Sequence, residues 1–143
     1  MDDCIFCKIV KGTQPASIIY SDEKVMAFMD ISQVNLGHVL VIPKVHATGL
    51  ADLDEKTGAY LFKVAMRITT AVKKSGVRCE GVNFFVCDGK AAFQSVFHFH
   101  LHIIPRFKDD GFGLTFGPNN RTFPDRAILD KIATDIASAF HVN

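Results

Sequence analysis

The stretch HFHLHIIPR, residues 98–106, places three of the chain's six histidines on alternate positions of an otherwise apolar run. Successive side chains of a β-strand point to opposite faces, so a strand here presents His98, His100 and His102 on one side. The other side carries the apolar residues Phe97, Phe99, Leu101 and Ile103. The alternation therefore predicts a β-strand with one histidine face and one face that packs into a core.

Three aligned imidazoles are a poor choice for packing, because every buried ring needs a hydrogen-bond partner. Histidine is well suited to proton transfer near neutral pH, to metal ligation and to nucleophilic attack on phosphorus. A lone histidine in a strand is more often structural than catalytic. Three of them in register, backed by an apolar face, predict a functional site.

Two kinds of site fit the three histidines. A metal site on the strand requires a carboxylate or another histidine from a second strand, and the apolar run 38–44 (HVLVIPK) is a poor source of either. A phosphate site fits more of the local sequence. The preceding segment 88–98 (DGKAAFQSVFH) has a turn at Asp88 and the polar residues Gln94 and Ser95, which offer hydroxyl and backbone donors to an oxyanion.

Three other stretches have the composition of β-strands. The segment 17–30 (SIIYSDEKVMAFMD) reads as two short strands around the polar turn Ser21–Lys24. The run 38–44 is nearly continuous in apolar residues and is closed by Pro43, as expected for a strand covered on both faces. The segment 81–89 (GVNFFVCDG) indicates a further strand that runs into a turn.

Two segments have helical periodicity. The longer one runs from about Asp52 to Ser75, with Asp52 and Asp54 as candidate N-caps and Gly76 as a stop signal. Its predicted core face is Leu61, Val64, Ala65, Ile68 and Val72. A C-terminal helix opens at Pro124 and aligns Ile128, Ile132 and Ile136. This order of elements predicts an α+β domain with a mostly antiparallel sheet.

The bulk properties exclude several classes of protein. The 143 residues fit one domain, and 48% hydrophobic with 22% charged residues can support one packed core. A formal net charge of +1 provides no basic field for nucleic acid. The N-terminus lacks the basic start and apolar core of a signal peptide, and no apolar run approaches the ~18–20 residues of a membrane span. We expect a soluble, cytoplasmic protein that binds neither nucleic acid nor membrane.

The four cysteines fall into one close pair and two isolated residues. Cys4 and Cys7 have the spacing of half a tetrahedral zinc site, which requires two further ligands. The alternative is two free thiols on a short helical turn, while a redox motif would require a βαβ setting that is missing. Cys79 and Cys87 have no close partner and are expected to be small buried side chains.

The segment QSVFHFHLHIIPR, residues 94–106, resembles the signature of the histidine triad (HIT) family of nucleotide-binding hydrolases. Collinear similarity continues in CIFCKIVKG (4–12), AFMDIS (27–32), GHVLVIPKVH (37–46), GVN (81–83) and DGKAAFQSV (88–96). The resemblance is greatest to small bacterial HIT hydrolases with an N-terminal Cys-x-x-Cys and to Hint-type nucleoside phosphoramidases. It implies one HIT domain over 1–143, of the α+β class. A mostly antiparallel five-stranded sheet, one long helix and a C-terminal helix are expected.

The resemblance also implies a reaction. His100 is expected to attack the α-phosphorus of a purine nucleoside phosphoramidate, an adenylated compound or a dinucleoside polyphosphate. Water then hydrolyses the nucleotidyl-histidine and releases a nucleoside monophosphate. His102 is expected beside the phosphate, Ser95 near the leaving group, and His98 as an orienting or structural partner of the nucleophile. The alternatives are a nucleotidyltransferase of the same superfamily, in which glutamine replaces the third histidine, and a purine-nucleotide-binding adaptor with incidental catalysis.

For the nucleotide, the resemblance implies that Asp30 accepts hydrogen bonds from the ribose hydroxyls. The backbone from Gln94 through Ser95 to Val96 would hold the phosphate oxygens. The apolar walls around the base correspond to Ile5, Phe6, Ile9, Phe28 and Ile31. Two residues depart from the family pattern. Cys87 replaces the usual asparagine near the phosphate, and a thiol is a weak donor. Phe93 replaces a glycine, which predicts a narrower phosphate mouth and no left-handed backbone there.

The remaining histidines receive roles by the same resemblance. His46 and His98 are expected to complete a Cys₂His₂ zinc site with Cys4 and Cys7. Such a zinc is structural, so no cofactor is required for catalysis. His38 is expected to be structural, and His141 to be solvated near the chain end. The family also implies a homodimer with the long helix at its interface, where Tyr60, Phe62 and Met66 lie off the core stripe.

Overall fold

A computed structural model of the chain describes residues 3–118 and 120–140. His141, which was expected to be solvated, lies outside the described residues. The chain divides into two compact units, Met1–Phe112 and Gly113–Asn143, and each is described by itself.

The first unit is built on a five-stranded sheet. Its strands have the spatial order β1-β2-β3-β5-β4, and every neighbouring pair is antiparallel. The elements in chain order are α1 (Ile5–Val10), β1 (Ile18–Ser21), β2 (Val25–Met29), β3 (Val39–Pro43), α2 (Glu55–Lys74), β4 (Gly81–Val86) and β5 (Leu101–Arg106). The predicted α+β class and the antiparallel five-stranded sheet are confirmed.

Side chains alternate across the sheet and divide the core into two layers. On one face lies the predicted stripe of α2, and all five of its residues are buried. On the other face, Phe6 and Ile9 of α1 pack against Met26, Phe28, Leu40 and Ile42 of β2 and β3. Both faces of β3 are therefore covered, which explains its unbroken apolar sequence.

The long helix begins later than the sequence predicts. The Asp54 carboxylate accepts the Thr57 backbone N–H at 3.0 Å, so Asp54 is the N-cap and the helix starts at Glu55. The residues before it, Leu50–Asp52, form a separate 3₁₀ turn. At the other end Gly76 has φ +84°, a left-handed conformation that suits a glycine after a helix.

The histidine strand is shorter than predicted. Strand β5 begins at Leu101, so His98 and His100 lie just before it. The reason is a backbone bond outside the sheet, because the Phe99 N–H donates to the Ala47 carbonyl at 2.6 Å. The alternation of faces nevertheless continues. From the histidine segment, the residues that pack with the α2 stripe are Phe99, Leu101 and Ile103. The exception is Phe97, which was predicted to face the core but is 40% exposed.

The second unit contains one helix, α3 (Arg126–Phe140). It begins two residues after Pro124 rather than at it. The aligned isoleucines, Ile128, Ile132 and Ile136, are all exposed. Within the ranges that the structure describes, no helix combines the length and the apolar character that crossing a membrane requires.

Candidate active site and metal centre

A cavity of about 380 Å³ opens between α1 and the sheet. This volume lies within the range of small-molecule sites. Ten residues that the sequence assigned to nucleotide binding line it: Ile5, Phe6, Ile9, Phe28, Asp30, Ile31, Ser95, Val96, His100 and His102. The remaining lining residues were missed by the sequence and are Gln14, Pro15, Ala16, Met29 and Leu40. Ten of the twelve residues predicted to bind the base, ribose and phosphate therefore share one cavity.

The apolar walls of this cavity are not equivalent. Phe6, Ile9 and Phe28 are buried, and the rings of Phe6 and Phe28 meet edge to face at 5.5 Å. Ile5 is partly exposed, while the Ile31 side chain is fully exposed. The first three therefore belong to the core and form a rigid floor. The other two stand at the opening, where a flat apolar group can bury them.

His100 is held by the backbone of its neighbour. Its ring is buried, and its Nδ1 lies 2.7 Å from the His98 carbonyl oxygen. A carbonyl oxygen only accepts hydrogen bonds, so Nδ1 of His100 must carry the proton. In the neutral ring the lone pair is then on Nε2. Since His100 lines the cavity, this places a nucleophilic nitrogen at its wall.

His102 lies beside His100, with ring centroids 4.8 Å apart. Burial, and next the adjacent His100 and His38, lower the pKa of His102 to about 4 against the opposing pull of Asp30. The ring is therefore neutral at neutral pH and has one N–H and one lone pair.

His38 was expected to be only structural, but it lies against His102 and Asp30. Its Nε2 lies 2.9 Å from Nδ1 of His102, and the Asp30 carboxylate is within 3.6 Å and 3.8 Å of the two rings. His38 is almost fully buried, and burial lowers its pKa more than the Asp30 charge and the Ser32 backbone raise it. The pairing of Leu40 with His102 explains the proximity, because residues 38 and 40 share a face of the sheet. The contact between His38 and His102 was not predicted because the sequence does not reveal this strand register.

Gln94 does not line the cavity, in contrast to its predicted role. Its side-chain oxygen accepts the Gly89 N–H at 2.7 Å, and its amide donates to the carbonyls of Thr48 and Val96 at 2.7 Å and 3.2 Å. Its own backbone N–H donates to the Gly89 carbonyl. Gln94 therefore holds the loop in place. Ser95, in contrast, makes no hydrogen bond to any residue that the structure describes, which leaves its hydroxyl and N–H to a ligand.

The two departures from the family pattern lie away from the cavity wall. Phe93 has φ +66°, so the prediction that no left-handed conformation is needed there is wrong. The cause is the 3₁₀ turn Lys90–Ala92, which ends when the Phe93 N–H donates to the Lys90 carbonyl. The Phe93 ring is 88% exposed and does not line the cavity, so it does not narrow its mouth. Cys87 does not line the cavity either and, like Cys79, is half-buried rather than buried.

The four predicted metal ligands converge beside this cavity. Cys4 Sγ is 3.5 Å from His98 Nδ1, while Cys7 Sγ is 3.4 Å from His46 Nδ1 and 3.6 Å from His98 Nδ1. The two histidine nitrogens are 3.3 Å apart. Zn–S bonds of about 2.3 Å and Zn–N bonds of about 2.0–2.1 Å give tetrahedral spacings of about 3.6 Å for S···N and about 3.3 Å for N···N. The distances match a Cys₂His₂ zinc site.

The tautomer of His98 agrees with metal ligation. Its Nε2 lies 2.8 Å from the Pro43 carbonyl oxygen, so Nε2 carries the proton and the Nδ1 lone pair faces the cluster. A carbonyl partner on the second nitrogen is typical of ligating histidines. His98 is fully buried, and burial lowers its pKa, which keeps the ring neutral. Its ring belongs to the cluster with Cys4, Cys7 and His46, and only its backbone carbonyl contacts His100.

A second group of possible ligands consists of Asp30, His38 and His102. Its two histidine nitrogens are 2.9 Å apart, which is a hydrogen-bond distance and shorter than the spacing of tetrahedral ligands. The Val34 backbone N–H also points at His38 Nδ1 from 3.4 Å, which leaves the His38 proton on the nitrogen that a metal would need. This group is a hydrogen-bonded chain rather than a metal site.

Comparison with known proteins identifies the family. The HIT domain profile matches residues 11–109. An uncharacterised HIT-like protein of Borreliella burgdorferi is 44% identical over 118 residues, which cover 82% of this chain and 85% of that protein. A plant relative, adenylylsulfatase HINT3 of Arabidopsis thaliana, is 35% identical over 109 residues, 76% of this chain and 55% of the plant protein. The chain belongs to the HIT domain family.

Solved structures agree with this assignment. A HIT family protein of Bacillus anthracis superimposes with a TM-score of 0.87 at 42% identity, covering 96% of this chain and 97% of that one. A zinc-bound histidine triad protein of Mycobacterium smegmatis gives 0.75 at 40% identity, with 96% and 98% covered. A histidine triad nucleotide-binding protein of Candida albicans gives 0.83 at 30% identity, with 96% and 97% covered.

Proposed function

We propose that this chain is a nucleotide hydrolase that cleaves at the α-phosphate of purine nucleoside phosphoramidates, adenylated compounds or dinucleoside polyphosphates. The observation that carries the proposal is the hydrogen bond from His100 Nδ1 to the His98 carbonyl, which leaves the Nε2 lone pair at the cavity wall. The plant relative named an adenylylsulfatase and the fungal neighbour named nucleotide-binding support the same class of substrate.

The reaction proceeds in two displacements at phosphorus. His100 Nε2 forms a bond to the α-phosphorus while the bond to the leaving group breaks, and the leaving group departs with its electron pair and takes up a proton from solvent water. The ring becomes positively charged in this step. The His98 carbonyl oxygen at Nδ1 stabilises that charge, because its dipole points its negative end at the N–H. Water then attacks phosphorus, releases the nucleoside monophosphate and regenerates the neutral ring.

The cavity binds the nucleotide in three parts. The apolar floor of Phe6, Ile9 and Phe28 takes the base, and Ile31 at the opening covers it. Asp30 accepts ribose hydroxyls through its carboxylate, one oxygen of which also accepts the Ser32 N–H at 2.8 Å. Hydrogen bonds to a charged acceptor of this kind contribute ~1.5–3 kcal/mol each.

The phosphate lies between the loop before the histidines and the histidines themselves. The Ser95 hydroxyl and N–H, which have no partner among the described residues, donate to phosphate or leaving-group oxygens. His102 provides a further polar group from the adjacent position.

We assign a structural zinc ion to Cys4, Cys7, His46 and His98. Four protein ligands leave no open coordination position, so the metal supplies rigidity and no chemistry to the substrate. A zinc ion held by these four residues would join α1, which carries Phe6 and Ile9 of the base floor, to the segment that carries His100. The zinc-bound mycobacterial neighbour supports this assignment.

We further propose that the protein forms a homodimer in the cytoplasm. Strand β4 is an edge of the sheet, and its backbone groups on one side are available to a second copy. Phe62 and Met66 of α2 are about half exposed, and the Phe62 ring packs on Phe84 of the same edge strand at 5.6 Å. The mass of the purified protein by light scattering tests this, because a monomer at micromolar concentration contradicts it.

The function is tested by AMP release from adenosine phosphoramidate, adenylyl sulfate and a dinucleoside polyphosphate. Wild type and Lys63→Ala, an exposed control on α2, are expected to release AMP at equal rates. His100→Ala is expected to lose at least ~10³-fold in kcat, as is typical for a covalent nucleophile. Equal, slow release by wild type and His100→Ala across all three substrates would refute the hydrolase and favour the nucleotide-binding adaptor.

A further inference from the structure

We propose that His38 is a positioning residue for the phosphate-binding side of this site: it accepts a hydrogen bond from Val34 and donates one to His102, which leaves the single proton of His102 on Nε2. The inference deepens the proposed function and rests on it for the role of His102 at the phosphate. The proton positions themselves depend only on the hydrogen bonds within the protein.

The chain begins at a donor whose direction is fixed. A backbone N–H can only donate, and that of Val34 points at His38 Nδ1 from 3.4 Å. Nδ1 of His38 is therefore the acceptor nitrogen. Burial keeps the ring neutral, so its one proton is on Nε2. The Asp30 carboxylate is 3.6 Å from that Nε2 and 3.8 Å from Nδ1 of His102, so it favours a proton between the two rings, and the Val34 bond decides which ring carries it.

The second step follows from the first. His38 Nε2–H lies 2.9 Å from Nδ1 of His102, so Nδ1 of His102 accepts. His102 is also neutral near pH 7, which places its proton on Nε2. The titratable or charged groups that face His102 are His38, His100 and Asp30, while its partners on the neighbouring strands, Leu40 and Phe85, are apolar.

Adjacent histidines are thereby held in opposite tautomers. His100 presents a lone pair from Nε2, whereas His102 presents an N–H from Nε2. A nucleophile and a hydrogen-bond donor can then act on one phosphate group, the first on phosphorus and the second on oxygen. With the opposite tautomer, the His102 lone pair would face phosphate oxygens and repel them.

The chain orients a proton but cannot pass one along. If His102 gave up its Nε2 proton and took one from His38, then His38 would be left as an anionic ring, because its Nδ1 holds no proton to replace it. Asp30 and a backbone N–H offer none. His38 therefore acts through His102 and takes no part in acid–base transfer.

The test compares His38→Gln with His38→Glu in protein labelled with ¹⁵N at histidine. The two side chains have the same size, but only the glutamine amide can donate to His102 while its oxygen accepts from Val34. Wild type and His38→Gln are expected to show His102 protonated on Nε2, with a titration midpoint near pH 4 in wild type. His38→Glu is expected to move the proton to Nδ1 and to raise the midpoint.

The kinetic outcome is a separate readout. His38→Glu should lower kcat for AMP release about 100-fold with KM changed by less than about threefold, because it removes one donor to the transition state. His38→Gln should retain most of kcat. A wild-type spectrum with His102 protonated on Nδ1 overturns the proposal even if neither variant folds. So does the same tautomer in both variants. Absence of AMP release by wild type would instead refute the proposed function and leave the tautomer result standing.

Discussion

The backbone carbonyl oxygen of His98 lies 2.7 Å from Nδ1 of His100. The ring of His98 meanwhile faces Cys4, Cys7 and His46. One residue therefore connects the proposed metal centre to the proposed nucleophile, because its side chain belongs to the first and its backbone carbonyl contacts the second. This division of roles explains why three alternating histidines are not three equivalent catalysts.

The metal centre predicts a stoichiometry. Purified protein should contain about one zinc ion per chain, and Cys4→Ser should weaken zinc binding by more than ~100-fold, since even residues that only support a ligand cost 10–100-fold. Metal analysis after dialysis against a chelator of known affinity measures this. Cys79→Ser is the matched control, because Cys79 lies outside the cluster and donates to the Gly81 carbonyl. Less than half an equivalent of zinc in wild type, unchanged in Cys4→Ser, would refute the site.

Asp30 predicts a selective effect on sugar recognition. Asp30→Asn keeps an acceptor for the Ser32 N–H but removes the negative charge. We expect KM for an adenosine phosphoramidate to rise about 10–100-fold, which corresponds to ~1.5–3 kcal/mol for a hydrogen bond to a charged group. The KM for the 2′,3′-dideoxy analogue should rise much less, because this substrate has no ribose hydroxyl to donate to Asp30. An equal rise in KM for both substrates would mean that Asp30 acts on His38 and His102 rather than on the ribose.

Phe93 predicts a stabilising substitution. A left-handed conformation costs an L-residue ~1–2 kcal/mol, whereas glycine adopts it freely. The exposed Phe93 ring adds little by packing. Phe93→Gly should therefore raise the free energy of unfolding by about 0.5–1 kcal/mol in urea denaturation. Phe97→Gly, in the same loop but without a positive φ, should lower it. Destabilisation by both substitutions would mean that the Phe93 side chain has a packing role.

His102 predicts a dependence of stability on pH. Its pKa of about 4 in the folded protein is below the ordinary value of 6.5, so the unfolded chain binds the proton more readily. Stability should be fully present above about pH 6.5 and should fall as the pH drops towards 4, by roughly 3 kcal/mol from this residue. The lowered pKa of His38 acts in the same direction. The free energy of unfolding in urea should differ less between pH 7 and pH 4.5 in His102→Gln than in wild type. An equal difference in the two proteins would contradict a buried neutral His102 ring.

Much of this architecture could be predicted from residue patterns alone. Period-two alternation around His100 identified the two faces of β5, and the helical spacing of Leu61 to Val72 identified the core stripe of α2, because both patterns report which side is buried. Backbone hydrogen bonds outside the regular helices and strands left no such pattern. The bond from Phe99 to Ala47 shortens β5, and that from Phe93 to Lys90 accompanies a left-handed residue.

In the candidate site, too, local residue patterns were predictable and contacts that depend on the tertiary fold were not. Residues with characteristic chemistry at characteristic spacings, such as Cys4 and Cys7, were predicted to converge with two histidines and do so. His38 was given a structural role because its contact with His102 depends on the register between β3 and β5, which one sequence does not reveal. Gln94 was assigned to the phosphate through its backbone by resemblance to the family, whereas its backbone N–H and its side chain both hold the loop in place.

The most direct test of the account is the detection of a covalent nucleotide on His100. The protein is mixed with adenosine phosphoramidate, quenched within milliseconds in alkaline denaturant, which preserves a phosphorus–nitrogen bond, and digested for mass spectrometry. We predict an adenylyl group on His100 that decays as AMP appears and that is absent from His100→Ala. An adduct on His102, or AMP release at full rate with no adduct on any histidine, would contradict the assignment of His100 as the nucleophile.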